Sequence, residues 1–273
     1  MRHSNILRIF TIIALLIVPA LAKSEKYTIG VVPQFEARQL SNIWSPILVA
    51  LGESTGHEFE LVGSANIPEF EQKFLRGEFD FIYSNPYHAL KAYQLIKYKP
   101  IIRDGSRLLK GILVVRSDSP FQSVKDLNSA LISFPAPNAL GASLMTRSDM
   151  TIKFGIEYSE EYVKTHSSAY LNVFLGESDA AGGVMSSFKK LDDDISSGLK
   201  ILYKTESVPP HPISVHPRVP ADVTSGVIET ILQLGGSDSG RALLGKIPMF
   251  EPIKTDMDEY EIIENLKLDK FVK

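Results

Sequence analysis

The side chains in this sequence that could do chemistry are its six histidines, its serine–lysine pairs and its carboxylates. His3, His57, His88, His166, His211 and His216 contain no H-E-x-x-H pair, the spacing that puts two imidazoles on one helical face for zinc. His211 and His216 stand five apart among prolines, so they share no helix face and read as loop histidines. Asp192-Asp193-Asp194 lacks the alternating oxygens and the glycine of a calcium loop and reads as a solvated helix end. Ser186-Ser187-Phe188-Lys189 has the S-x-x-K spacing in which a lysine can activate a serine. Ser148-Asp149 and Lys204-Thr205 echo the companion motifs of penicillin-recognising enzymes, but the order is wrong and the K-T-G glycine is missing. Gly235-Gly236-Ser237-Asp238-Ser239-Gly240 resembles a phosphate cradle and is better explained as a helix C-cap followed by an N-cap. The chain has no cysteine, which removes thiol nucleophiles, thiolate zinc, iron–sulfur clusters, disulfides and a lipidated cysteine. No covalent chemistry emerges from these patterns; binding remains.

The elements that would position a binding site follow from the periodicity. With 273 residues, 44% hydrophobic and 22% charged, the chain can bury a real core and is not disordered. A net charge of -3 offers no basic field for nucleic acid. Tyr27 to Val32, Phe59 to Val62 and Phe79 to Tyr83 read as strands, and Leu40 to Leu51 and Ile67 to Leu75 as helices between them. This rhythm predicts a mostly parallel sheet covered by helices. A second series begins at Gly111, with strands at Gly111 to Val115, Ala130 to Phe134, Asp179 to Val184 and Leu199 to Tyr203. A helical turn over Ser123 to Leu127, a helix from about Ala139, a strand edge at Val163 to His166 and a helix over Ala169 to Leu175 fit between them. The last fifty residues read as helical. Breaks near 104–110 and 203–212 suggest one lobe inserted into another. Ligands of open α/β sheets sit beyond the carboxyl ends of strands, so the loops after Val32, Tyr83, Phe134 and His166 are the places to look.

Residues 1–22 read as a secretory signal: Arg2 and Arg8, an apolar run from Ile9 to Val18, then Pro19 and Ala20-Leu21-Ala22 as a cleavage site. The apolar run is too short to span a bilayer, which needs about 20 residues. Cleavage lowers the net charge from -3 to -5 and predicts a mature periplasmic protein beginning at Lys23.

Several segments, in order, resemble the periplasmic substrate-binding proteins of phosphonate, phosphite and phosphate ABC importers, the PhnD-like family. They are Gly30-Val31-Val32-Pro33-Gln34, Trp44-Ser45-Pro46, Gly77 to Tyr87 with Tyr83-Ser84-Asn85-Pro86, Val114 to Pro120, Phe134 to Asn138, Gly176 to Ala180 and Val208 to Pro212. The resemblance implies an α/β type II periplasmic binding protein-like fold: two α/β lobes, a two-segment hinge and a ligand cleft between them. It places lobe 1 at 23–107 and 205–273 and lobe 2 at 108–204. It gives Tyr83 and His166 the family's roles of holding the ligand oxyanion. The family's Ser-Thr-Ser run, however, falls on Ala139-Leu140-Gly141, which leaves backbone amides, Asn138 and Ser143 as donors. The two carboxylates that hold an ammonium in aminophosphonate binders fall on Ser186 and His211, which argues against an aminophosphonate here. Gln34, Arg38, Ser84 and Asn85 are further donors.

The resulting expectation is a solute-binding protein, not an enzyme, with no metal or cofactor. It captures one small, phosphonate- or phosphate-like ligand at Gln34, Tyr83, Ser84, Asn85, Asn138, Ser143, His166 and His211. Its partner is the membrane permease of an ABC importer. A ligand-sensing partner of a membrane receptor or sensor kinase would use the same clamshell. A secreted hydrolase is the third reading, and the missing nucleophile and metal motifs argue against it.

Overall fold

A computed structural model describes residues 24–273; the signal sequence read at 1–22 lies outside the described residues. The chain starts as β1 (Lys26–Val31), α1 (Ala37–Thr55), β2 (Glu58–Val62), α2 (Ile67–Leu75), β3 (Phe81–Tyr83), α3 (Pro86–Ile96) and β4 (Lys99–Asp104). It then crosses to a second sheet: β5 (Leu109–Arg116), β6 (Leu131–Phe134), β7 (Ser159–Tyr162), β8 (Ala180–Val184) and β9 (Leu199–Val208). Between β6 and β7, Leu140–Met145, α4 (Thr146–Ser148) and Asp149–Lys153 run on as one helical stretch; α5 (His166–Leu175) precedes β8, and α6 (Met185–Phe188) and α7 (Asp193–Ser197) precede β9. The chain returns through 209–212 to β10 (Ile213–Val215), α8 (Ala221–Gly235), α9 (Asp238–Leu244), β11 (Pro252–Lys254) and α10 (Ile262–Asn265).

The two sheets have strand orders β11-β4-β10-β3-β1-β2 and β7-β6-β8-β5-β9. Both are mixed where a mostly parallel sheet was expected: β10 runs antiparallel to β3 and β4, and β5 runs antiparallel to β8 and β9. The crossovers explain this. β4 leaves the first sheet at its carboxyl end, so the returning chain enters β10 from that end and runs backwards. β5 likewise enters the second sheet from the end where β8 leaves it. The carboxyl ends of β1, β3, β6 and β8 therefore all face the space between the lobes.

Each sheet is held by side chains of alternating orientation. In β5, Ile112, Leu113, Val114 and Val115 are all fully buried. Leu113 and Val115 pack with Leu127, Ile132, Phe134 and Met150, whereas Ile112 and Val114 pack with Tyr170 and Val173 of α5. A strand buried on both faces reads as an unbroken apolar run, as 111–115 does. In the first lobe, Trp44, Ile47 and Leu51 of α1 join Val227 and Ile231 of α8 on one side of the sheet.

Two apolar clusters bridge the lobes. Phe70, Phe74, Phe79 and Ile82 meet Ala136, Ala139 and Ala142. Tyr87 and Leu90 of α3 meet Leu140, Leu144 and Met145, with Val208, Met257 and Tyr260 beside them. The helical stretch 140–153 thus belongs to the second lobe and is also packed against the first. Two glycines let it lie close to the second sheet. A Cβ on Gly111 would sit 2.1 Å from the Gly141 carbonyl oxygen, and one on Gly182 would sit 2.0 Å from that of Ala142.

Several local expectations shift. The third strand begins at Phe81 rather than Phe79, and Val163 to His166 is not a strand edge, since β7 ends at Tyr162 and His166 opens α5. α3, β4, β10 and β11 were not anticipated. Gly236 ends α8 and Ser237 caps α9 by accepting the Gly240 N–H, so the Gly235–Gly240 run is a pair of caps. No helix among the described residues is long and apolar enough to cross a membrane.

Candidate functional site

The carboxyl ends of the strands place loops from both lobes around a crevice. After β1 the backbone turns sharply, with the Gln34 N–H donating to the Val32 carbonyl at 2.9 Å. After β3, Asn85 caps α3: its side-chain oxygen accepts the His88 N–H at 2.8 Å, and Pro86 occupies the first turn. From the second lobe come His166, the first residue of α5, and the start of the helical stretch. There Ala139 accepts from the N–H of both Ser143 (2.7 Å) and Leu144 (3.1 Å), a widened turn. His211 comes from the returning crossover.

These parts converge. Gln34, Asn85, His166 and His211 line one inner pocket with Ala139 to Ala142, Val32, Ile67, Leu109 and Val184. Its volume is about 20 Å³, the space of a water molecule. Leu140, Gly141 and Ala142 begin a helical run, so their N–H groups have no partner within it. The position of the family's hydroxyl run is therefore at the crevice, with amides in place of hydroxyls.

The inner pocket carries no formal charge at neutral pH. Burial holds the His166 imidazole down at about 4. Burial, with His88 and His166 nearby, holds His211 at about 3. Gln34 Nε2 lies 3.0 Å from His211 Nε2, which accepts when the imidazole is neutral. His166 Nδ1 is 3.3 Å from Ser187 Oγ, which also lies 2.8 Å from the Tyr170 hydroxyl. Ser187 has one hydroxyl proton and donates to the Val184 carbonyl at 3.0 Å, so the neutral His166 ring can present Nε2 as donor or acceptor according to its tautomer.

Beside the inner pocket lies an outer chamber of about 230 Å³ that shares Gln34, Leu109, Val184 and His211 with it. Its other walls include Tyr83, Ser186 and the cations Arg107, Lys110 and Lys189. A further cavity of about 660 Å³ opens among the loops after β1, β2, β6 and β7.

The expected ligand residues divide. Gln34, Asn85, His166 and His211 line the inner pocket, and Tyr83 lines the outer chamber. The Tyr83 hydroxyl donates to the Ile247 carbonyl at 2.6 Å, and burial raises its pKa, so its proton is committed within the first lobe. Three other expected residues line neither space. The fully buried Ser84 hydroxyl has no partner among the described residues. Ser143 donates to the Ala136 carbonyl at 2.6 Å and so braces the helical turn. Asn138 donates to Glu71 at 3.0 Å and to the Lys273 carbonyl at 3.1 Å, and accepts the Lys273 N–H at 3.1 Å. It ties the last residue and α2 to the second lobe.

Sequence reasoning missed Arg107, Lys110 and Lys189. Arg107 and Lys110 flank the first crossover, and Lys189 ends the S-x-x-K pattern, so only topology brings them together. Ser148 and Asp149 line a separate cavity with Glu206, far in the fold from Ser186, and the penicillin-enzyme motifs are not assembled. Among the described residues no three His, Asp or Glu side chains form a group that could hold a metal ion.

No curated protein matches this chain significantly. Solved structures similar in fold include a binding protein component of an ABC phosphonate transporter from Pseudomonas aeruginosa, at 15% identity and TM-score 0.80, covering 90% of this chain and 86% of that one. PhnD1 from Prochlorococcus marinus in complex with methylphosphonate aligns at 16% identity and TM-score 0.79, covering 90% and 98%. A Xanthomonas citri protein bound to ATP aligns at 14% identity and TM-score 0.70, covering 92% and 100%. Residues 29–260 match the family model for the periplasmic substrate-binding protein of phosphonate ABC transporters, and the chain belongs to that family.

Proposed function

We propose that this protein captures one small oxyanion of the phosphonate or phosphate class between its lobes and presents it, chemically unaltered, to the membrane permease of an ABC importer. The observation that carries this reading is the crevice at the carboxyl ends of β1, β3 and β8, where the first lobe supplies Gln34 and Asn85 and the second His166. Donors drawn from both lobes favour the closed state when a ligand bonds to them together, so binding energy becomes closure. Neutral amides, an imidazole and free helix-start N–H groups suit an anion, and hydrogen bonds to a charged acceptor are the stronger kind. In this reading lobe 1 is 23–107 and 205–273, lobe 2 is 108–204, and the crossovers are the hinge. The mature chain works in the periplasm after loss of residues 1–22. No turnover is expected: Ser187 Oγ, 3.3 Å from His166 Nδ1, is also engaged by the Val184 carbonyl and the Tyr170 hydroxyl.

The test is a thermal-shift panel of phosphate, phosphite, methylphosphonate, ethylphosphonate, sulfonates, carboxylates and uncharged heterocycles on the mature chain. A ligand that binds only the folded state at a concentration 100 times its Kd adds about 2.7 kcal/mol. A phosphorus oxyanion is expected to give the largest shift. If every oxyanion is inert while an uncharged compound stabilises, the proposed ligand class is wrong.

A further inference from the structure

The outer chamber contains an arrangement that the capture of a single oxyanion head does not use. Arg107, Lys110 and Lys189 all line it, and no carboxylate does. Burial lowers the pKa of Lys190, and the nearby Arg107 guanidinium lowers it further. The carboxylate nearest to Arg107 is Asp104, 3.5 Å from its Nε. Asp104 already accepts the N–H groups of Phe250 and Glu251, each at 2.9 Å. Arg107 Nε is buried and has no hydrogen-bond partner among the described residues, while its guanidinium is stacked on Phe250, 3.8 Å from the ring centre. Like charges gathered around one chamber repel each other, and a buried unpaired donor costs free energy. An anion in the chamber relieves the repulsion among Arg107, Lys110 and Lys189.

The chamber is also joined to the inner pocket, because Gln34, Leu109, Val184 and His211 form walls of both. A ligand whose head meets Gln34 and His211 at the shared wall would extend its other end into the chamber. Ser186 and His211 stand at the positions where the family resemblance puts the carboxylates that hold an ammonium. Here that end of the site is cationic instead.

We infer that the outer chamber is a subsite for a second anionic group, and that the protein prefers small phosphonates whose far end carries a carboxylate over those whose far end is methyl or ammonium. The inference rests on the proposed capture of an oxyanion head in the crevice. Arg107 supplies the anchoring contact from the first crossover, and Lys110 and Lys189 close over the carboxylate from the second lobe. The apolar walls of Leu108, Met185 and Pro248 accommodate the one or two methylenes between the two acidic groups.

The experiment is calorimetric titration of the mature protein with methylphosphonate, 2-aminoethylphosphonate, phosphonoacetate and 3-phosphonopropionate. One phosphonocarboxylate is expected to bind about tenfold or more tightly than methylphosphonate, and the ammonium compound more weakly than methylphosphonate. The exposed lysines make a double variant, Lys110→Gln with Lys189→Gln, that leaves the core untouched; it should erase the gain for the phosphonocarboxylate and leave methylphosphonate unchanged. Arg107→Gln, checked for an unchanged melting temperature, should do the same. Raised salt should weaken the phosphonocarboxylate more than methylphosphonate. If methylphosphonate binds and neither phosphonocarboxylate binds better, or if the double variant weakens both ligands equally, the second-anion subsite is refuted and oxyanion capture stands. If no phosphonate binds but inorganic phosphate, titrated alongside, does, the subsite fails and oxyanion capture stands; if none of them binds, both fail.

Discussion

Asp104 is the residue on which the geometry of the hinge and of the outer chamber both depend, and replacing it gives a graded prediction. It ends β4, and its side chain is 2% exposed. Its Oδ1 accepts the N–H groups of Phe250 and Glu251 at 2.9 Å each, and its Oδ2 accepts the Ser106 hydroxyl at 2.8 Å. Asp104→Ala removes the acceptor and leaves two backbone donors. Hydrogen bonds to a charged group contribute roughly 1.5–3 kcal/mol each. Phe250 is 39% exposed, so water can reach part of this loop and the full sum will not be lost. The expected cost is about 2–4 kcal/mol, a substantial share of the 5–15 kcal/mol typical of a folded protein. Asp104→Asn keeps an oxygen for the two amides but turns an NH2 toward Ser106 and Arg107, and should cost less, about 1–2 kcal/mol. Urea denaturation followed by far-ultraviolet circular dichroism measures both midpoints. An alanine variant within about 0.5 kcal/mol of wild type, or an asparagine variant as damaged as alanine, would refute the reasoning that this carboxylate works by accepting two amide protons.

His166 and His211 should make the fold acid-sensitive. Their folded pKa values, about 4 and about 3, lie below that of an unfolded histidine, 6.5, so the unfolded chain takes up protons first. Stability should therefore be full above pH 6.5 and fall as pH drops from 6.5 toward 4; His166→Gln should flatten that decline, and an identical pH profile in the variant would count against the burial of a neutral imidazole. Gly182→Ala should push the Ala142 carbonyl off the second sheet, costing about 1–3 kcal/mol and weakening ligand binding, because the displaced segment begins at the inner pocket; wild-type stability and affinity would show that the close approach is not needed. Asn138→Ala should release the last residues, seen as faster amide exchange over 268–273, while Ser143→Ala, which loses one internal hydrogen bond, should cost about 1 kcal/mol without a specific loss of affinity.

Much of the fold was legible in the sequence because burial on both faces leaves unbroken apolar runs, as in Gly111 to Val115, and because caps leave fixed residues, as in Gly236-Ser237; the cap that Asn85-Pro86 forms for α3 was read only as a strand end. The strand directions were less legible. Whether a sheet is parallel depends on which end the chain enters from, and for β5 and β10 that is decided by crossovers far apart in sequence. β4 and β11 escaped notice because neither alternates: β4 is buried through 100–102, and β11 is three residues long with two exposed. Within the site, family likeness singled out Tyr83 and His166; His166 lines the inner pocket with Gln34, Asn85 and His211, and Tyr83 lines the outer chamber. Asn138 and Ser143 could not be judged that way: their partners, Lys273 and Ala136, are set by how the chain end and a widened turn pack. Arg107, Lys110 and Lys189 form no motif, since they come from one crossover and from a short helix beyond β8, and their shared chamber exists only in the folded chain.

The absence of cysteine makes the central claim directly measurable, because two cysteines introduced at exposed positions, Glu53 on α1 and Lys125 in the second lobe, are the only sites a spin label can take. The distance distribution between the labels is recorded by pulsed electron resonance without and with saturating methylphosphonate. Capture by lobe closure predicts that the anion shifts and narrows the distribution, that dialysis restores the starting one, and that the recovered compound is methylphosphonate. An unchanged distribution in the fully bound protein, or recovery of a different compound, would contradict the account.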